Sequence, residues 1–121
     1  MNAAEIREAL RAMAERPGFL AVGLVELAGG MVWHAAGAPE FDESVVSAVS
    51  DYWRLYTRSR KTFASLGDLS VAVLLHRAGR ITLCECGSGM LLVSITSRGL
   101  GADWETWKQD QAHLARLVNE F

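Results

Sequence analysis

SVAVLLHRAGRITLCECGSGMLLVSIT, residues 70–96, decides the fold. It holds three apolar runs, Ser70 to His76, Arg80 to Cys86 and Met90 to Thr96. Ala78-Gly79 separates the first two and Gly87-Ser88-Gly89 the last two. Short runs rich in Val, Leu and Ile between glycine turns are strands, and the tight turn makes the first pair a hairpin. Val71-Ala72-Val73-Leu74-Leu75 and Leu91-Leu92-Val93 do not alternate apolar with polar. Strands apolar on both sides are expected to be covered on both faces.

Upstream, Ala3 to Arg16 reads as an amphipathic helix, with Ile6, Leu10 and Met13 at helical spacing. Pro17-Gly18 stops it. Phe19 to Leu27 and Met31 to Ala36 are strands around Ala28-Gly29-Gly30, and Gly37-Ala38-Pro39 ends the second. Asp42 caps a helix that runs to about Arg60, Lys61 to Leu69 is a loop, and Asp103 caps a last helix to Glu120. Trp104, Trp107, Leu114 and Val118 share one face of that last helix. Gln111 falls within this face and either bonds a strand end or marks where the face leaves the core. Three helices must cover two sheet faces, so two share one face. The 121 residues, half of them apolar, are read as one α/β domain spanning 1–121.

A net charge of −2 excludes the basic excess of a nucleic-acid-binding domain. No apolar run approaches the roughly 20 residues that cross a bilayer, so membrane insertion is not expected. Glu5, Glu8 and Glu15 interrupt the first twenty residues, which therefore do not read as a signal peptide. Cys84 and Cys86 lie two apart in a strand, a poor geometry for a disulfide. A cytoplasmic protein with reduced thiols is the expectation.

The middle helix carries the most informative pattern. Projected at about 100° per residue, Val45, Val46, Ala48, Val49, Tyr52, Trp53, Leu55 and Tyr56 fill about half the circumference, with Val45, Val49, Tyr52 and Tyr56 as the inner line. A surface helix commonly needs a stripe of about 100°. The excess is either Val46 and Trp53 on one flank or Ala48 and Leu55 on the other. Either a partner covers it, or the loop Lys61 to Leu69 does, with Phe63 and Leu66. The strand Ser70 to His76, if it is the sheet edge, is apolar and proline-free, and such edges pair or aggregate. An edge of this kind beside surplus helix surface suits a two-fold dimer. The expected interface is Val46, Val49, Tyr52, Trp53 and Tyr56 with Val71 and Val73.

Chemistry finds little support. One residue between Cys84 and Cys86 is too few for a zinc pair, and the hairpin register puts His76 on the opposite face, so neither metal nor cofactor is expected. His34, His76 and His113 are scattered, and no serine sits in a G-x-S-x-G elbow, so no enzyme is expected. Gly99-Leu100-Gly101 lacks a dinucleotide or P-loop pattern and reads as an ordinary turn. Arg54, Arg58, Arg60 and Lys61 crowd the middle helix's end, where cations favour its dipole or form a basic rim.

Nearly the whole chain resembles the Roadblock/dynein light-chain superfamily. The residues that carry this are Arg16-Pro17-Gly18-Phe19-Leu20-Ala21-Val22-Gly23-Leu24-Val25, the turn Gly29-Gly30, the hairpin around Arg77-Ala78-Gly79-Arg80, and Met90 to Ile95 running towards Gly99-Leu100-Gly101. The order of elements carries most of the weight. The resemblance implies a five-stranded antiparallel sheet in the order αββαβββα, with the first and last helices on one face and the middle helix on the other. It implies dimers that pair the third strand and pack the middle helices, and the sequence leaves open whether the second chain is a copy or a paralogue. It implies non-catalytic scaffolds and regulators of Ras-like small GTPases, including bacterial ones in polarity and motility. Four tryptophans and Cys84-x-Cys86 depart from the commoner members. A small-molecule sensor is the alternative, with a pocket between sheet and helix lined by Trp33, Trp53 or Trp107.

Overall fold

Gly18, at φ +85°, turns the chain out of helix α1 (Ala3–Ala14) and into strand β1 (Phe19–Glu26). A residue with a Cβ rarely adopts that conformation. There follow β2 (Val32–Gly37), α2 (Glu43–Thr57), β3 (Val71–Leu75), β4 (Gly79–Glu85), β5 (Met90–Ser97) and α3 (Trp104–Glu120). This computed structural model describes residues 3–99 and 101–121. Leu100, within the turn read at Gly99-Leu100-Gly101, lies outside the described residues.

The strands form one antiparallel sheet in the order β2-β1-β5-β4-β3. On one face Ile6, Leu10 and Met13 of α1 join Trp107, Leu114 and Leu117 of α3 over Val22, Leu24, Cys84, Cys86 and Leu92. On the other, Val46, Val49 and Trp53 of α2 cover Ala21, Val25, Leu83, Leu91, Val93 and Ile95. The expected layering is therefore present, with α1 and α3 sharing one face and α2 on the other. Asp42 and Asp103 cap their helices as read: each carboxylate accepts from two first-turn amides. Hydrogen bonds from Ser44 and Val45 hold the Asp42 carboxyl below the usual range, and Thr106 does the same for Asp103. Helix α2 stops at Thr57, short of Arg60, because Ser59 and Arg60 donate to carbonyls three residues back and tighten the chain.

One expectation fails. β3 is not covered on both faces: Val71, Val73 and Leu75 are exposed, Leu75 at 63%. α1 lies over β1 and β2, and α3 reaches β5 and β4 through Trp107, Gln111 and Trp104. Two helices cannot span five strands, and the outermost strand is left bare.

Cys84 and Cys86 are free and buried on the α3 face. Gln111 Nε2 donates to the Glu85 carbonyl at 3.1 Å, so Gln111 bonds a strand end. Cys86 Sγ lies 3.7 Å from the Gln111 carbonyl. Burial pushes both thiols up to about 12 from an ordinary 9.0. The folded state thus favours neutral thiols. Their contribution to stability is complete below about pH 9 and is lost as the pH rises from there towards 12. A thiol reagent at pH 7–8 should label neither cysteine in the native protein and both after denaturation. Rapid stoichiometric labelling of the folded chain would overturn this.

Candidate interaction surface

α2 meets the sheet at close quarters. Gly23 of β1 has no side chain, and Val46 fills the space it leaves. Arg54, on the helix flank, pairs with Asp51, bonds Ser50 Oγ at 3.0 Å and lies against Gly30 in the β1–β2 turn. With these residues turned to the sheet, Ala48, Tyr52, Leu55 and Tyr56 face outward. Tyr52 is 58% exposed, Leu55 61% and Tyr56 45%.

The loop after α2 covers only part of this stripe. Phe63 stacks on Tyr56, with ring centroids 5.2 Å apart and planes 6° from parallel. Leu66 points outward at 79% exposure. Ala48, Tyr52 and Leu55 remain open. Eight of the ten exposed large apolar side chains among the described residues lie between Tyr52 and Leu75. Soluble proteins rarely gather such residues without a use for them.

The second component is the edge of β3. His76 N–H donates to the Gly79 carbonyl, and the register 71–75 against 84–80 is regular. Antiparallel pairing alternates the direction of backbone groups. The N–H and C=O groups of Ala72 and Leu74 therefore point to β4, and those of Val71, Val73 and Leu75 point outward. Side chains follow the same alternation. Val71 and Val73 pair with Cys84 and Thr82 and share their face, that of α1 and α3. Ala72 and Leu74 share the face of α2.

Of the seven residues expected at the interface, Tyr52, Tyr56, Val71 and Val73 reach the surface. Val46 at 0%, Val49 at 5% and Trp53 at 3% exposure pack on the sheet within the chain. They support the surface from beneath. Leu55, in sequence only the other flank of the apolar arc, joins the outward face. So does Leu75 at the strand edge, which the sequence signals only by sharing the parity of Val71 and Val73. Of the three tryptophans of the sensor alternative, Trp53 lines a cleft between α2, the loop after it and the end of β4. Trp53 packs on the α2 side. Trp107 packs on the other, bonded to Ser94 Oγ at 3.0 Å. Trp33 lies at the far edge strand, with Arg7 over its ring and Phe121 beside it. Among the described residues no group of three or more His, Cys, Asp or Glu comes together as a metal site would need. No described helix is long and apolar enough to cross a membrane.

Solved structures share this architecture. The Roadblock/LC7 domain from Streptomyces avermitilis is similar over 99% of this chain and 97% of its own, with TM-score 0.76 and 18% identity. The gliding protein MglB from Thermus thermophilus matches over 100% and 95%, at TM-score 0.78 and 17% identity. Myxococcus xanthus MglB matches over 97% and 90%, at TM-score 0.81 and 15% identity. No protein-family model matches the chain, and no curated protein does. The chain has the Roadblock/LC7 fold.

Proposed function

We propose that the chain is a non-catalytic, cofactor-free interaction module of the cytoplasm. It pairs with a second copy, or a paralogue, through the β3 edge and the outward face of α2. The pair acts as a scaffold or regulator of a Ras-like small GTPase. The observation that carries this reading is the open edge of β3 beside exposed Tyr52, Leu55 and Tyr56. Two such edges, related by a two-fold axis, satisfy each other's backbone groups. Burying a large side chain contributes about 1.5–3 kcal/mol. Three per copy, doubled by symmetry, match an association cost of about 4–15 kcal/mol. The GTPase role is supported by the resemblance and by the fold shared with gliding proteins.

Light scattering at tens of micromolar should give twice the 13.2 kDa chain mass. A particle of single-chain mass would sink the pairing with a second copy. A Ras-like GTPase from the same genome, loaded with GDP or a GTP analogue, should bind the pair more tightly in one state. An intact pair that binds neither state would remove the GTPase role and leave the module.

A further inference from the structure

We propose that the paired molecule docks an acidic amphipathic helix of a partner protein on the α1/α3 face of its two β3 strands. The site rests on the pairing proposed above, since each copy supplies half of its floor.

Pairing through the edge uses the backbone of β3 and leaves its side chains where they are. Val71, Val73 and Leu75 project to the face away from α2, where α3 stops at β4. In the pair these three and their symmetry mates form one apolar strip between the two α3 helices. Neighbouring strands are about 4.8 Å apart, so two β3 strands make a strip about 10 Å wide. That is the diameter of one α-helix. Five residues of strand run about 17 Å, which about 11 residues of helix would cover at 1.5 Å each.

Charge selects the occupant. Arg77, Arg80 and Arg98 gather at the β3–β4 turn. Arg98 donates to the His76 carbonyl at 3.3 Å, and Arg80 lies over Trp104 at 4.2 Å while its Nε bonds Thr82 Oγ1. Among the described residues none of the three pairs with a carboxylate. The antiparallel pair puts one such cluster at each end of the strip. A helix with leucine-like residues along one side and carboxylates near both ends matches the apolar floor and both clusters.

The probe is a synthetic helical peptide of about 14 residues, with leucines on one face and glutamates at both ends. Its twin carries lysines instead. Fluorescence anisotropy on the full chain should show one glutamate peptide bound per pair, and the lysine twin at least about ten-fold weaker. Arg77→Glu with Arg98→Glu, both exposed positions, should reverse that preference. Val73→Asn should weaken both peptides. Equal binding of the twins, no binding, two peptides per pair, or indifference to the arginine variants would overturn the site. So would binding to phosphatidylserine vesicles in place of the peptide. A chain that stays single defeats the pairing itself. A chain that pairs and ignores the peptide defeats only this site.

Discussion

Trp53→Glu is expected to unfold the chain, whereas Leu55→Glu leaves it folded and unpaired. Trp53 is 3% exposed and packs with the Val46, Val49, Leu83 and Val93 layer. Truncating a buried tryptophan costs about 3–5 kcal/mol through lost transfer energy and the cavity left behind. A glutamate adds an unpaired carboxylate in an apolar layer, which costs more unless it protonates. A domain of this size has about 5–15 kcal/mol in total. Far-UV circular dichroism should therefore show a chain largely unfolded or unfolding at very low urea. Leu55 lies on the opposite side of α2 from Trp53 and is 61% exposed. Its substitution removes little packing within the chain, and surface changes of that kind stay within about 0.5 kcal/mol. At concentrations low enough to keep the wild type single, the urea midpoints of Leu55→Glu and wild type should agree. At tens of micromolar, only the wild type should scatter as a pair. A folded Trp53→Glu with a wild-type midpoint would contradict the placement of Trp53 beneath α2. A Leu55→Glu that pairs normally would remove the outward face from the interface.

Gly23→Ala should destabilise the chain by about 1–3 kcal/mol, the usual cost of overpacking a filled core. Gly23 does not have positive φ, so its backbone would accept any residue. Space alone forbids one. A Cβ there would lie 2.6 and 2.9 Å from the two methyls of Val46, which is fully buried in α2. Alanine in a strand otherwise costs less than glycine, because glycine loses more chain entropy on folding. The loss must therefore come from pushing the helix off the sheet. Val46→Ala in the same chain vacates the space. The double variant should be more stable than the sum of the two single losses allows, with a coupling of about 0.5–3 kcal/mol. Simple additivity in urea denaturation would show that α2 does not approach β1 at this point.

Much of this architecture is legible because short local signals specify it. Pro17-Gly18, the glycine turns and the two capping aspartates fix where elements begin and end, and each acts within a few residues of itself. The placement of α2 is harder. Helical projection gives the width of the apolar arc and sets Val45, Val49, Tyr52 and Tyr56 on its inner line, whereas Val46, Val49 and Trp53 meet the sheet and Tyr52 and Tyr56 lie outside. Both flanks of α2 carry an aromatic or aliphatic side chain, so Trp53, expected at the interface, lies beneath the helix, and Leu55 takes its place outside. The reach of α3 is also hidden. An apolar strand signals that cover is wanted, and says nothing of whether a helix in the same chain extends far enough to supply it. Val71, Val73 and Leu75 are bare for that reason. Arg77, Arg80 and Arg98 form a cluster only after β5 has been laid beside β4, so no motif in the sequence announces them.

The strand order has a consequence for how the chain comes to be made. β1 pairs with β5, Phe19 with Thr96 and Glu26 with Met90, joining the first strand to the last. A nascent chain leaving the ribosome can close the β1–β2 hairpin early, since a short loop is quick to form. It must then carry β1 with one side unpaired until Met90 to Ser97 has been synthesised. Closing so long a loop carries an entropy cost that only the completed sheet offsets. The last strand to arrive is thus the one that makes the sheet continuous. A chain truncated before Met90 retains two hairpin fragments at most, and an early stop or a stalled ribosome leaves exposed strand edges for the cell's chaperones to hold.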